Sequence, residues 1–200
     1  MTRLLLASRN PGKIKELRRL MLPLSLDLLT PQELGLGPQV EETGHDYMEN
    51  ARLKARTLAL QTAEWTLADD TGLEVDALGG APGLHSARFG GEGASDADRR
   101  ERLLQQLAGK PRPWTARFCC AVALCSPEGE LEQAWGECPG EIVPDERGDH
   151  GFGYDPIFLV HAQGKTMAEL TLQEKNKLSH RARAIEALFP VLVERLGQSA

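Results

Sequence analysis

The strongest constraint on this chain is an alternation. Trp114, Ala116, Phe118, Cys120, Val122 and Leu124 interleave with Thr115, Arg117, Cys119, Ala121 and Ala123. Period two is that of a β-strand, whose successive side chains leave on opposite faces. Ser126-Pro127-Glu128-Gly129 follows as a turn of the kind that joins antiparallel neighbours, so Leu131 to Cys138 can return beside the strand. A long hairpin is therefore the framework on which the rest must pack.

Shorter elements precede and follow it. Arg3 to Ser8 is an apolar run suited to a strand buried on both faces, after which Asn10-Pro11 supplies a helix N-cap and a proline at the first helical position. The helix runs to about Met21, with Ile14, Leu17, Leu20 and Met21 on one side. Ser25 to Leu29 reads as a second strand stopped by Thr30-Pro31, and Gly35 to Gly44 as a loop. From Asp46 to Gln61, Met48, Ala51, Ala55, Leu58 and Ala59 recur at helical spacing. Trp65 to Asp69 is strand-like, Gly79 to Gly83 irregular, and Ser95 to Leu107 a charged helix capped by Ser95. Pro156 to Val160 gives one more strand. Thr171 and Ser179 each cap a helix, the second of which Pro190 should kink or end near Phe189. This order predicts an α/β fold, a mixed β-sheet flanked by helices, in a single domain over residues 1–200.

Composition narrows the function. With 41% hydrophobic and 26% charged residues the chain can bury one ordinary core. Its apolar runs are far too short for a bilayer span and no signal-peptide pattern opens it, which predicts a soluble, unexported protein. Cys119, Cys120, Cys125 and Cys138 lack metal-ligand spacing and read as buried thiols of a reducing compartment. A net charge of −6 gives no footprint for nucleic acid. A polyanionic ligand would need a local cluster of cations, backbone amides and metal.

Four segments carry candidate chemistry. In Ser8-Arg9-Asn10-Pro11-Gly12-Lys13 a strand runs out into a helix start, where amide donors, the helix dipole and Lys13 suit a phosphate. An N-capped helix with a surface lysine would look the same. Glu41-Glu42-Thr43-Gly44 and Asp69-Asp70-Thr71-Gly72 offer hard oxygen ligands for Mg²⁺, or merely acidic turns. Gly151-Phe152-Gly153-Tyr154-Asp155-Pro156 sets an aromatic between glycines, so that Phe152 could stack on a base while loop backbone reads its edge, or plug a turn. Lastly, in the segment from Glu174 through Lys175 to Arg181, Ser179 is poised as an N-cap and His180 and Arg181 occupy the first turn of a helix, an unfavourable place for cations unless an anion or a ligand acceptor lies there.

Taken together, these blocks resemble the inosine triphosphate pyrophosphatase family. The opening phosphate-binding segment from Ser8 to Leu17 is similar to the family's, as are Glu42-Thr43-Gly44 with Glu49-Asn50-Ala51 and Lys54-Ala55. Asp69 to Leu73, Leu78 to Gly83, Ser86-Ala87-Arg88, Gly151 to Pro156 and Ser179-His180-Arg181 complete the series in order along nearly the whole chain. Thr71 stands where serine is usual and keeps the hydroxyl.

The resemblance implies an elongated sheet with two lobes around a central cleft, a cytoplasmic homodimer, and hydrolysis of ITP, dITP and XTP to the monophosphate and pyrophosphate. It implies Asp70 as general base, Glu42 with Asp70 as the Mg²⁺ site, and Lys13 and Lys54 as catalytic cations on the triphosphate. Ser8, Arg9, Asn10, Pro11, Gly12 and Thr71 would line the phosphates. Phe152, Gly153, Tyr154, Asp155, Lys175, His180 and Arg181 would receive the base. No nucleic acid or membrane partner is implied. Two alternatives stand beside it: a metal-dependent phosphatase releasing orthophosphate, and a nucleotide-binding regulatory module without turnover.

Overall fold

The computed structural model describes residues 2–38 and 40–197; Gln39, inside the loop expected from Gly35 to Gly44, lies outside them. Eight strands, β1 (Arg3–Leu6), β2 (Asp27–Leu29), β3 (Trp65–Val75), β4 (Pro82–Gly83), β5 (Trp114–Cys125), β6 (Leu131–Ile142), β7 (Phe158–Val160) and β8 (Lys165–Thr166), are described. They hydrogen-bond in the order β2-β1-β3-β5-β6-β7-β8, with β4 paired to β3. β1 is parallel to both neighbours, setting Leu4 beside Leu28 and Leu5 beside Thr66. β4 is antiparallel to β3, and β7 to both β6 and β8. The helices are α1 (Pro11–Leu20), α2 (Tyr47–Thr62), α3 (Asp96–Leu107), α4 (Leu172–Lys175) and α5 (His180–Leu196). The mixed α/β fold expected from the sequence is the one observed. No helix among the described residues is long and apolar enough to cross a membrane.

The chain divides into two compact units. The first comprises Met1–Asp70, Cys120–Gly136 and Arg181–Ala200. Its core joins Leu4 and Leu6 of β1, Leu17 of α1, Leu67 of β3, Val122 of β5 and Leu188 of α5. Leu4, Leu5 and Leu6 are all fully buried, as a strand covered on both faces requires. The second unit comprises Thr71–Cys119 and Glu137–His180. Its core gathers Leu73, Leu103, Trp114, Phe118, Tyr154 and Phe158, with the rings of Phe118 and Phe158 tilted at 4.5 Å between centroids. One alternating face of β5 thus serves the second core through Trp114, Ala116 and Phe118, and the first through Cys120, Val122 and Leu124.

Several boundaries differ from expectation. β3 continues past Asp69 to Val75 and β6 past Cys138 to Ile142. β2 starts only at Asp27, because Leu22–Leu24 forms a 3-10 turn and Ser25 adopts a left-handed φ of 48°. Of the kink or end expected near Phe189, the end does not occur: α5 contains Pro190 and runs on to Leu196. Leu192 and Leu196 beyond the proline are buried, and that burial offsets the hydrogen bond the proline removes.

Candidate functional site

The first unit assembles a cluster of seven charged side chains beyond the end of β1 and midway along β3. β1 ends at Leu6, and Asn10 then caps α1 through Oδ1, which accepts from the backbone N–H of Gly12 at 2.8 Å and of Lys13 at 3.3 Å. The N–H of Asn10 in turn donates to Ser8 Oγ at 3.2 Å. This knot fixes the start of α1, with Pro11 at its first position. It aims Lys13 at Asp69, whose Oδ2 lies 3.0 Å from the ammonium. One turn along α1 stands Glu16, 3% exposed although acidic.

Glu16 explains why Arg181 can sit in the first turn of α5. Arg181 is 1% exposed and pairs with Glu16 and, through Nε at 3.1 Å and Nη2 at 3.0 Å, with Asp69. The two carboxylates supply the negative charge that the first helical turn needs. Arg181, read from sequence among the base-recognition groups, is placed by the structure on Asp69 and Glu16. Glu16 had no signal in the sequence, because an acid at that point of an amphipathic helix reads as surface.

Lys54 organises the other half of the cluster. It projects from α2, buried, with its ammonium 2.7 Å from Glu42 Oε1, 2.6 Å from the carbonyl oxygen of Asp69 and 3.7 Å from Asp70 Oδ1. Burial would favour the neutral amine, but Asp70, Glu42 and Asp69 outweigh it and raise the Lys54 pKa, so the charge is kept. The Asn50 side-chain amide, one turn earlier on α2, donates to Asp70 Oδ2 at 3.0 Å. Arg9 lies elsewhere. Its guanidinium donates to the carbonyls of Leu36, at 2.7 Å, and Gly37, and so ties the loop that carries Glu42 to the end of β1.

The adjacent aspartates are driven apart. Burial pushes Asp69 up, yet Lys13, Arg181 and Lys54 together overcome it and hold its carboxyl well below the ordinary range. At Asp70 burial prevails. With the Glu42 carboxylate nearby, it raises the pKa against the pull of Lys54, Lys13 and Asn50. Asp69 is therefore a fixed anion, and Asp70 a carboxylate with a heightened appetite for a proton.

The hard oxygens of Glu42 and Asp70 converge on a single ammonium, at 2.7 and 3.7 Å. Two carboxylates fit Mg²⁺, which completes its shell with water and phosphate oxygens. Among the described residues no group of three or more His, Cys, Asp or Glu side chains could by itself hold a metal. Burial pushes the thiol pKa of Cys119 up to about 12 and that of Cys120 higher still, so neither thiol supplies a ligand anion at neutral pH.

The second unit carries the Gly151–Asp155 loop. Thr71 follows Asp70 directly in β3 and is half-buried. Phe152 is also half-buried, with the Lys175 ammonium 5.0 Å from its ring centroid. Lys175 is itself buried and paired with Asp155, whose Oδ2 also accepts the Phe152 N–H at 3.0 Å. The Tyr154 hydroxyl donates to the carbonyl of Ser86 at 2.9 Å. The backbone N–H groups of Phe152, Gly153 and Asp155 are all engaged within this unit. His180 stacks on Phe118, 4.8 Å between centroids and 17° from parallel.

The Ham1 family is matched over residues 4–191. A protein of Bacillus subtilis named dITP/XTP pyrophosphatase is 44% identical over 189 residues, 94% of this chain and 96% of its own length. One of the same name from Gloeobacter violaceus is 49% identical over 187 residues, 93% and 92% of the two lengths. Among solved structures, a HAM1 protein from Coxiella burnetii shares 42% identity at a TM-score of 0.86, covering 97% of this chain and 100% of that one. The Staphylococcus aureus Ham1 protein shares 39% at 0.84, over 96% and 99%. With its motifs in order, its fold matched and its length spanned, this chain belongs to the Ham1 family.

Proposed function

We propose that this protein hydrolyses non-standard purine nucleoside triphosphates, dITP, XTP and ITP, to the nucleoside monophosphate and pyrophosphate. The observation that carries the reading is the opposed behaviour of Asp69 and Asp70, one locked as an anion by three cations and the other made more basic by burial. Environments that separate two like groups mark an acid/base assignment. The names of relatives spanning nearly all of this chain supply the substrate class.

Charge counting supports a metal. Lys13, Lys54 and Arg181 face Glu16, Glu42, Asp69 and Asp70, one negative charge in excess. Such a cluster alone would repel a triphosphate. Mg²⁺ held by Glu42 and Asp70 would reverse the balance and neutralise phosphate oxygens. Asp70 takes the proton of the attacking water at its carboxylate, with Asn50 fixing the other oxygen. Lys13 and Lys54 neutralise charge developing on the phosphates, and Asp69 holds Lys13 in place. Ser8, Asn10 and Gly12 shape the start of α1 beside them, and Thr71 adds a hydroxyl. Attack at the α-phosphorus expels pyrophosphate.

Phe152 stacks on the purine, supported by Lys175 and Asp155, while Tyr154 anchors the loop. Hypoxanthine and xanthine carry an oxygen at purine position 6 where adenine carries an amino group, so a fixed donor facing that position rewards the former and leaves adenine mispaired. The reading includes a cytoplasmic homodimer, on the strength of the motif resemblance. A panel of purine and pyrimidine triphosphates with Mg²⁺, scored for pyrophosphate and orthophosphate, tests it. Pyrophosphate from dITP and XTP well ahead of ATP is expected; orthophosphate release would favour the phosphatase reading, and no turnover the regulatory one.

A further inference from the structure

The N-terminal part of α3 holds the Phe152 loop at Gly153, gripping the peptide group on either side of its Cα. Asp96 Oδ2 accepts the N–H of Gly153 at 2.7 Å, and Arg100 Nη1 donates to the carbonyl oxygen of the same residue at 2.9 Å. Both grips are themselves fixed. Asp96 also pairs with Arg99, which donates to the carbonyls of Ala94 at 2.7 Å and Ala87 at 3.1 Å. Arg100 is locked by a two-pronged pair with Glu146, Nε to Oε1 at 2.7 Å and Nη2 to Oε2 at 2.9 Å. The helix start carrying them is closed by a reciprocal cap between Ser95 and Asp98.

Gly153 has φ +62°, a conformation that glycine tolerates without strain and that is free to flip unless something holds it. Rotating the Phe152–Gly153 peptide would swing Phe152. We infer that Asp96 and Arg100 are positioning residues for purine binding, clamping the two peptide groups that flank Gly153 so that the Phe152 ring is presented ready to stack. This rests on the proposed nucleotide reading and adds to it two residues outside the motifs that carried that reading. The Gly153 N–H is spent on Asp96, so the loop contributes a ring held in place rather than that amide. Ordering the loop before the ligand arrives lowers the cost of binding and leaves the chemistry at Asp70 untouched.

The test is a double-mutant cycle on steady-state hydrolysis of dITP with Mg²⁺. Loss of one base stack corresponds to about tenfold in affinity. Asp96→Ala and Arg100→Met should each raise KM by about that factor with kcat within about twofold, and Asp96→Asn, which keeps an acceptor, should restore most of the loss. In a Phe152→Ala background neither substitution should raise KM further, because the ring they position is gone. Should Asp96→Ala fail to fold, Arg100→Met with the same background decides. Additive effects, a fall in kcat at constant KM, or wild-type behaviour overturns the clamp while wild-type turnover stands. A wild-type protein that hydrolyses no purine triphosphate overturns the functional reading first, and the clamp with it.

Discussion

At the scale of single residues, one charge network both builds and equips the site. Arg181 is its hub, buried between Glu16 and Asp69. Removing it leaves two buried carboxylates uncompensated, so Arg181→Ala should cost about 3–5 kcal/mol of stability in a urea titration. A loss under 1 kcal/mol would show that the pairs are not held. Asp70 behaves oppositely. Its folded-state pKa is raised, so its ionised form is disfavoured by the fold at every pH above that pKa. Asp70→Asn should therefore abolish turnover, keep nucleotide binding and raise Tm at neutral pH; retained turnover or a lowered Tm would remove Asp70 from the role of strained base. The sequence showed the paired aspartates, and the family resemblance singled out Asp70 as base, but neither showed the physical cause of the difference. That distinction lives in Lys13, Lys54 and Arg181, which lie far from them along the chain. Arg9 shows the converse, since its motif position reads as phosphate contact while its guanidinium holds loop carbonyls.

At the scale of elements, local rules worked where local physics decides. The alternation of Trp114 to Leu124 became β5, Asn10 became the cap of α1, and Ser95 that of α3. They failed where tertiary burial overrides propensity, as in the extension of β3 beyond its acids. The β6–β7 pairing depends on a close approach no propensity announces. A Cβ at Gly140 would overlap the carbonyl oxygen of Leu159 and the ring of Phe158. Gly140→Ala should accordingly destabilise the second unit by about 1–3 kcal/mol, measured by hydrogen exchange of the amides around Leu159. Unchanged protection there would contradict the packing described.

At the scale of the molecule, the network makes stability depend on acid in a defined way. Asp69 has a folded pKa below its unfolded value of 3.8, so its contribution is fully present above that value and is lost as pH falls through the folded one. Tm should decline below about pH 4, and Asp69→Asn should flatten that decline while lowering the neutral plateau. An equally steep decline in the variant would place the acid sensitivity elsewhere. Fold class and the order of the motifs were legible in the sequence because each block is local. The division into two units was not, since β3, β5 and β6 each contribute residues to both.

In the proposed reaction Asp70 directs water at the α-phosphorus of a non-standard purine triphosphate. Hydrolysis of dITP in ¹⁸O-labelled water with Mg²⁺ tests this directly, by mass spectrometry of the products. One labelled oxygen in the monophosphate and none in pyrophosphate is expected. Label in pyrophosphate, or release of labelled orthophosphate, would contradict it.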